Sequence, residues 1–451
     1  MLAKERKDWP THVVALKNSL GKLPLTIGKV LEFVAKQKKM QNVEDVTVIF
    51  CVDGLQHAQN NITENFDLTR VLSSICDVLQ SSTPFIVCVC SATVCKPISE
   101  VLAHFSRPHV HLLPPPLRGH EIVNARTRIE KQLVDDMGGH GRALEVLQQV
   151  MPRYSHLKNV DSASILDVVY MELNRRYNLQ DLFTNETNRR EVSVAILSRR
   201  RYNEYEPIGG TNMTVDGLRS FGLFRHTLEK RLECAFIIPM MLIKSIPKVI
   251  GEVDNFEYHI TTSGLSWQRF EQFVAFYRRV KSIAFYGYPV LLSEFHAGAR
   301  FGAIDRLSIH EEVQRTVVEA VNQLETKSGS KDSLICTNRH GSVDISMMST
   351  VVINADHAAA GDIFMRVHLT DGNRQIHSNE VIQCKFTERN QKIDRAYYEK
   401  ERAKAVNNTS DVFLLVTCGD VVEPFDLRKR CGIVSKAEFI DYFGPFASRA
   451  F

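Results

Sequence analysis

At 451 residues, with 44% hydrophobic and 24% charged side chains, the chain is long for one hydrophobic core and ordinary in composition; this predicts about two to four folded domains and argues against a disordered or coiled-coil protein. Its formal net charge of +4 permits phosphate-rich partners without demanding them. No apolar run approaches a membrane span, since "CAFIIPMMLI" (234–243) is too short and reads as core, and the ten cysteines include no C-x-x-C pair, so free and mostly buried thiols are expected rather than disulfides or zinc.

The chain opens on "MLAKERKDWPTH", which is charged and lacks the apolar stretch of a secretory signal, so export by that route is not expected. From about Thr47, the runs "VTVIFCVDG", "PFIVCVCSAT" and "HVHLLPPP" alternate with helical segments. Each reads as a strand buried on both faces, which predicts a parallel α/β sheet. Asp53 and Ser91 close the first two runs at the carboxyl edge, where such sheets bind ligands. The layout suits a P-loop nucleotide hydrolase, but the required G-x-x-x-x-G-K-[ST] is missing. The nearest stretch, "GKLPLTIGKV" (21–30), has wrongly spaced glycines and a proline. Asp53 is followed by Gly54 rather than a second acid, so a strand-ending structural aspartate is favoured over a Walker B acid.

A Gly-Gly turn then opens the helix "GRALEVLQQV", with Leu144, Val146, Leu147 and Val150 on its apolar side and Arg142 in its first turn. Arg142 is either a phosphate sensor on a helical lid or, the favoured reading, a surface residue pairing with a carboxylate. Next, "SASILDVVYMELNRRY" and "NRREVSVAILSRRR" precede a short helix, a turn at Gly222 and a two-stranded ribbon. That order is the plan of a winged helix-turn-helix. Arg189, Arg190, Arg199, Arg200 and Arg201 flank one of its helices and could meet DNA phosphates, although Glu191, Glu204 and Glu206 dilute the charge.

From Ser266 the segment "SWQRFEQFVAFYRRV" is an amphipathic helix, with Trp267, Phe270, Phe273, Val274 and Tyr277 at helical spacing and Glu271 as its acid. Strand-like "SLICTN" and "SVDISMMSTVVIN" follow, then a hairpin, the charged helix "RNQKIDRAYYEKERAKAVNN" and the buried strand "DVFLLVTC". This predicts helices packed on a mixed sheet. In the hairpin, Asp371-Gly372 is turn chemistry. In "VIQCKF" the period of two sends Ile382, Cys384 and Phe386 to one face, and Gln383 and Lys385 to the other. Asp362 begins the partner strand. An acid, an amide oxygen and a lysine converging on a sheet edge suit metal-assisted phosphodiester cleavage: Asp362 and Gln383 as magnesium or manganese ligands, Lys385 as the cation beside the attacked phosphate, and Glu271 as a second carboxylate.

The segments "GGHGRALEVL", "TVDGLRSFGLF", "WQRFEQF", "HAAAGDIF" and "IQCK" occur in the order found in the large crinkler class of oomycete and chytrid effectors, which the chain resembles from about residue 45 onward. The resemblance implies three domains: a P-loop-NTPase-like module over 1–155, a winged-helix region over 156–258 and a restriction-endonuclease-like PD-(D/E)xK nuclease over 259–451. It also implies that Asp362, Gln383, Lys385 and Glu271 form the nuclease centre. The implied role is that of a virulence effector delivered into the host nucleus, acting there on host DNA, with possible host nuclear protein partners, and promoting cell death. Without a Walker A motif, weak or no binding of ATP is expected. The competing expectations are a non-catalytic DNA- or protein-binding effector with a decayed nuclease, and an NTP-regulated switch.

Overall fold

The computed structural model of the chain describes residues 29, 36, 47–55, 66–81, 85–91, 96–103, 115–154, 162–177, 185–244, 266–303, 306–312, 315–320, 333–335, 342–344, 350–355, 361–386, 391–406 and 409–450. The "GKLPLTIGKV" segment (apart from Lys29) and nearly all of "HVHLLPPP" lie outside these residues. The chain divides into two compact units, 1–112 and 113–451.

In the first unit, β1 (Thr47–Val52) and β2 (Phe85–Cys90) pair in parallel, from Thr47 opposite Phe85 to Val52 opposite Cys90. The helix Phe66–Ser81 connects them. Its Leu68, Leu72 and Ile75 recur at helical spacing and pack with Ile98 and Val101 of the helix Lys96–Ala103. The parallel βαβ unit read from the sequence is therefore present, but its strands are not buried on both faces. Ile49, Phe85, Val87 and Val89 stand 40–68% exposed, alternating with half-buried residues. The expectation of mostly buried thiols fails here for the same reason, with Cys51 and Cys90 exposed and Cys88 half-buried.

The second unit begins with helices at Gly119–Ile122, Arg128–Asp136, Gly141–Val150 and Ser162–Tyr177. Thr127 and Glu130 form a capping box that starts the second of these. Leu144, Val146, Leu147 and Val150 are buried, as their spacing predicts. The helices Glu186–Leu197 and Val215–Ser220 follow, then an antiparallel ribbon of β3 (Phe224–His226) and β4 (Leu232–Cys234). The order of three helices and a ribbon is the one the sequence predicts. "CAFIIPMMLI" is core, contributing the helix Ile237–Lys244.

One apolar core runs from Val123 to Ala450. A division near residue 155 is therefore not where the chain parts. Asp136, at the end of its helix, is buried and accepts hydrogen bonds from Arg449 Nε (2.9 Å) and Ser448 Oγ (2.7 Å), tying residues before 155 to the last turn of the chain.

The large sheet is assembled from short and long strands: β5 (Pro289–Leu291), β6 (Arg300–Phe301), β7 (Ser308–His310), β8 (Thr316–Glu319), β11 (Thr350–Ile353), β12 (Ile363–Asp371), β13 (Arg374–Lys385), β15 (Val412–Thr417) and β17 (Cys431–Val434). Two small pairs stand apart, β9 (Ser333–Ile335) with β10 (Ser342–Asp344), and β14 (Lys392–Ile393) with β16 (Asp420–Val421). The sheet order is β5-β7-β12-β13-β15-β17-β6, with β11 also against β12 and β8 beyond β11. β12 and β13 are antiparallel, whereas β13, β15 and β17 run parallel. The turn between β12 and β13 is Gly372-Asn373, and Gly372 has φ +58°, a left-handed angle that glycine adopts without penalty.

Both faces of this sheet are covered. The helix Ser266–Phe285 lays Phe270, Phe273 and Tyr277 into the core that contains Ile382, Cys384 and Leu414. The helix Arg395–Ala405, started by Asp394, packs Tyr398 and Ala405 against Val381, Phe413 and Leu415. The expected mixed sheet between helices is thus the observed arrangement.

The core also encloses charge. Arg278 donates from Nη2 to Glu311 Oε1 (2.6 Å) and from Nε to Glu380 Oε2 (2.9 Å), and Arg315 Nε donates to Glu311 Oε2 (2.6 Å). All four side chains are essentially inaccessible to solvent. Lys281, one turn along the helix from Arg278, donates to the Phe295 carbonyl and lies over the Tyr442 ring at 4.3 Å. Burial, with Arg278 close by, pulls the Lys281 ammonium down to about 7. A lysine depressed in the folded state binds its proton less readily than the unfolded chain does, so its contribution to stability is lost as pH falls from the unfolded value towards 7. Lys281→Met should therefore have a higher thermal midpoint than the parent at pH 7, by a few °C. That advantage should shrink on going to pH 9. A constant difference in calorimetry at the two pH values would show that the buried ammonium carries no such cost.

Candidate functional site

β12 and β13 are paired through nine registered positions, ending with Ile363 opposite Ile382. Continuing that register by one step sets Asp362 opposite Gln383. The side chains meet: Gln383 Nε2 donates to Asp362 Oδ2, and the same oxygen accepts the Cys384 N–H at 2.7 Å. Gln383 Oε1 accepts the Gly361 N–H at 3.2 Å. Behind Asp362, its carbonyl accepts the Asn354 N–H at 2.8 Å, while Asn354 Nδ2 donates to the Gly361 carbonyl. The Gly361-Asp362 entry to β12 is therefore fixed from both neighbouring strands.

Lys385, two residues beyond Gln383, projects to the same face, and its Nζ lies 4.0 Å from Asp362 Oδ2. The two groups are partly open to solvent, with side chains 29% and 18% exposed. Gln383 is buried. The alternation within "VIQCKF" follows the sequence reading, although Val381 and Gln383 also face packed atoms, because the Arg395–Ala405 helix covers that side.

That helix contributes a residue the sequence reading missed. Glu401 Oε2 lies 3.5 Å from Lys385 Nζ, and Glu401 Oε1 accepts a hydrogen bond from Lys404 Nζ at 2.7 Å. The signal was available: Tyr398, Glu401 and Ala405 recur at helical spacing on one face, which turns a glutamate inward among apolar neighbours. Burial raises the Asp362 carboxyl above its usual range against the pull of Lys385, and the charge of Glu401 adds to the rise. The Lys385 ammonium is raised as well, because Asp362 and Glu401 together outweigh its burial. Two acids thus share the Lys385 cation in a confined space.

Glu271 sits half-buried on the helix that covers the other face. Its charge reaches the Cys384 thiol, whose titration burial pushes far up, with Asp362 and Glu271 pushing the same way. Among the described residues no group of three or more His, Cys, Asp or Glu side chains is gathered as a cation site. Magnesium, however, is commonly held by one or two protein carboxylates with water and substrate oxygens completing its shell. Asp362, with an acid partner and a buried carboxylate oxygen at Glu401 that accepts no hydrogen bond, fits that demand.

The other candidates are placed as follows. Asp53 accepts a hydrogen bond from Ser91 Oγ, and the Gly54 N–H donates to that hydroxyl at 3.3 Å, so it joins the two strand ends of the first unit. Arg142 donates from Nη1 to the Phe221 carbonyl (2.6 Å) and lies over the Tyr177 ring at 4.5 Å; the expected carboxylate partner is replaced by a carbonyl and a ring. Of the five arginines, Arg189 is buried, and Arg190 donates to the Tyr286 carbonyl beside the Tyr288 ring. Arg199 is buried, with a left-handed φ of 54°, and binds Glu233 and the Asp441 carbonyl at 3.1 Å each. Arg200, paired with Glu294, and Arg201 remain at the surface. The charge that looks like one basic stripe in the sequence is mostly spent inside the molecule.

No family model matches the chain, and no solved structure matches it. It is 53% identical over 455 aligned positions to Crinkler effector protein 108 of Phytophthora sojae, an alignment that takes in 100% of this chain and 55% of that protein. The chain thus spans about half the length of this curated relative.

Proposed function

Identity along its whole length to such a protein supports the crinkler family for this chain, and from that premise we propose that its Asp362–Gln383–Lys385 edge is the centre of a divalent-metal-dependent DNA endonuclease. The observation that carries this reading is the convergence of an acid and a lysine from adjoining strands at a solvent-reachable sheet edge. Asp362 would hold magnesium or manganese, which when bound polarises the scissile phosphate. Lys385, held as a cation by Asp362 and Glu401, would orient the attacking water and offset the charge that grows on phosphorus. Gln383 and the Cys384 N–H hold the Asp362 carboxylate in place by hydrogen bonds to Oδ2. The wider proposal is an effector delivered into a host cell and acting on DNA in its nucleus to promote cell death. The P-loop, winged-helix and restriction-endonuclease-like names for the three regions are part of the same proposal, as are host nuclear protein partners.

Supercoiled plasmid incubated with the full chain and magnesium tests this reading. Relaxation that EDTA stops supports it; intact plasmid in both magnesium and manganese overturns it. The lack of a three-acid group among the described residues favours a second reading, a DNA-binding effector whose nuclease has decayed. Plasmid bound but left intact would select that one. If DNA lies along the region of the three helices and ribbon, Arg200→Ala with Arg201→Ala should lower the slope of log affinity against log salt by roughly 1–2. An unchanged slope in a filter-binding titration would place DNA elsewhere.

A further inference from the structure

Gln383 occupies the position where a nuclease of this plan needs a second oxygen ligand, yet both ends of its amide are committed. Nε2 donates to Asp362 and Oε1 accepts from Gly361, and the side chain is buried. A neutral amide already satisfied on both atoms is a poor magnesium ligand, since the ion prefers charged, hard oxygens. Glu401 differs in its chemistry. It is an acid rather than an amide, equally buried at 3% exposed, and its Oε2 accepts no hydrogen bond among the described residues. That oxygen faces Lys385 Nζ, the same ammonium that faces Asp362. Lys385 therefore pairs with this oxygen at 3.5 Å without a hydrogen bond, and a buried carboxylate oxygen whose hydrogen-bonding position is unfilled can take a further cation.

We propose that Glu401, reaching the sheet edge from the helix Arg395–Ala405, supplies the second carboxylate of the divalent-cation site, with Gln383 acting as a positioning residue for Asp362. The proposal deepens the metal-dependent nuclease reading and rests on it. It accounts for the neutral residue at 383: the charge has been moved to a neighbouring element, and the amide left behind clamps the first ligand. It also accounts for the depth of Glu401 in an otherwise polar helix. The charged groups that face it are Lys385 and Lys404 as well as Asp362. Lys404 donates to Oε1, so Oε2, 3.5 Å from Lys385 Nζ, is the oxygen offered to the ion.

The test uses the full chain with Glu401→Gln, Glu401→Asp and Asp362→Asn, and two readouts: the thermal midpoint against manganese chloride alone, and plasmid relaxation. For the parent, the midpoint should rise with the metal. Glu401→Gln should need at least tenfold more metal for the same rise and cleave at least a hundredfold more slowly, with Glu401→Asp between the two. A midpoint in EDTA close to the parent's shows that the variant is folded; should Glu401→Gln fail that check, Glu401→Asp alone carries the comparison. Parental metal response and rate in the Glu401 variants, with both lost in Asp362→Asn, would overturn the inference while leaving the nuclease reading standing. A parent that neither responds to metal nor relaxes plasmid would overturn both.

Discussion

Asp362→Asn should slow magnesium-dependent plasmid relaxation by roughly a thousandfold, and Lys385→Met by a comparable factor, the scale on which loss of one charge-stabilising group lowers a rate. Asparagine keeps the size of the aspartate and can still accept the Cys384 N–H, so the hairpin has no cause to open. What it removes is the charge that holds a cation. Stability should move the other way. Burial raises the Asp362 carboxyl, so its stabilising contribution is present below the unfolded value and is lost as pH rises through the folded one. At neutral pH the ionised carboxylate is therefore a cost, and the asparagine variant should melt at or above the parent's temperature in EDTA. Activity lost with stability kept identifies the residue as part of the chemistry. Parental relaxation by Asp362→Asn would end the assignment.

Arg278→Met should be the most damaging single change to the fold, lowering the free energy of unfolding by about 3–5 kcal/mol, because breaking a buried pair leaves uncompensated charge behind. Glu380 would lose its guanidinium partner and Glu311 would keep only Arg315. The loss should read as a lower denaturant midpoint with an unchanged slope. Adding Glu380→Gln to Arg278→Met should recover part of it, since one of the stranded charges is then gone. A single variant as stable as the parent would mean that the two acids find other partners or protons at little cost.

Much of the β12–β13 hairpin is legible in the sequence, because a period of two and an Asp-Gly turn are local signals. They fix which residues share a face, and so bring Gln383 and Lys385 together. That Gln383 is consumed by Gly361 and Asp362 is not legible, since it depends on the one-residue extension of the strand register and on Asn354. The strands β5 to β8 are only two to four residues long and leave no periodicity to read. The arginines near residue 200 mislead for a different reason. Composition reports charge, but whether a guanidinium faces solvent is decided by distant residues such as Asp441, Tyr286 and Glu233. The buried Arg278–Glu380 pair is hidden likewise, because its partners are about a hundred residues apart in the chain.

The fixed pairing of β12 with β13 also constrains how this stretch of chain can drift. An extra residue within either strand would offset the ladder by one, and every side chain beyond it would exchange sides. Lys385 would then face the layer now filled by Cys384 and Phe386, away from Asp362. Length changes are harmless only at Gly372-Asn373, where the chain reverses, so what holds the acid beside the lysine is the register within the strands and not the number of residues between them.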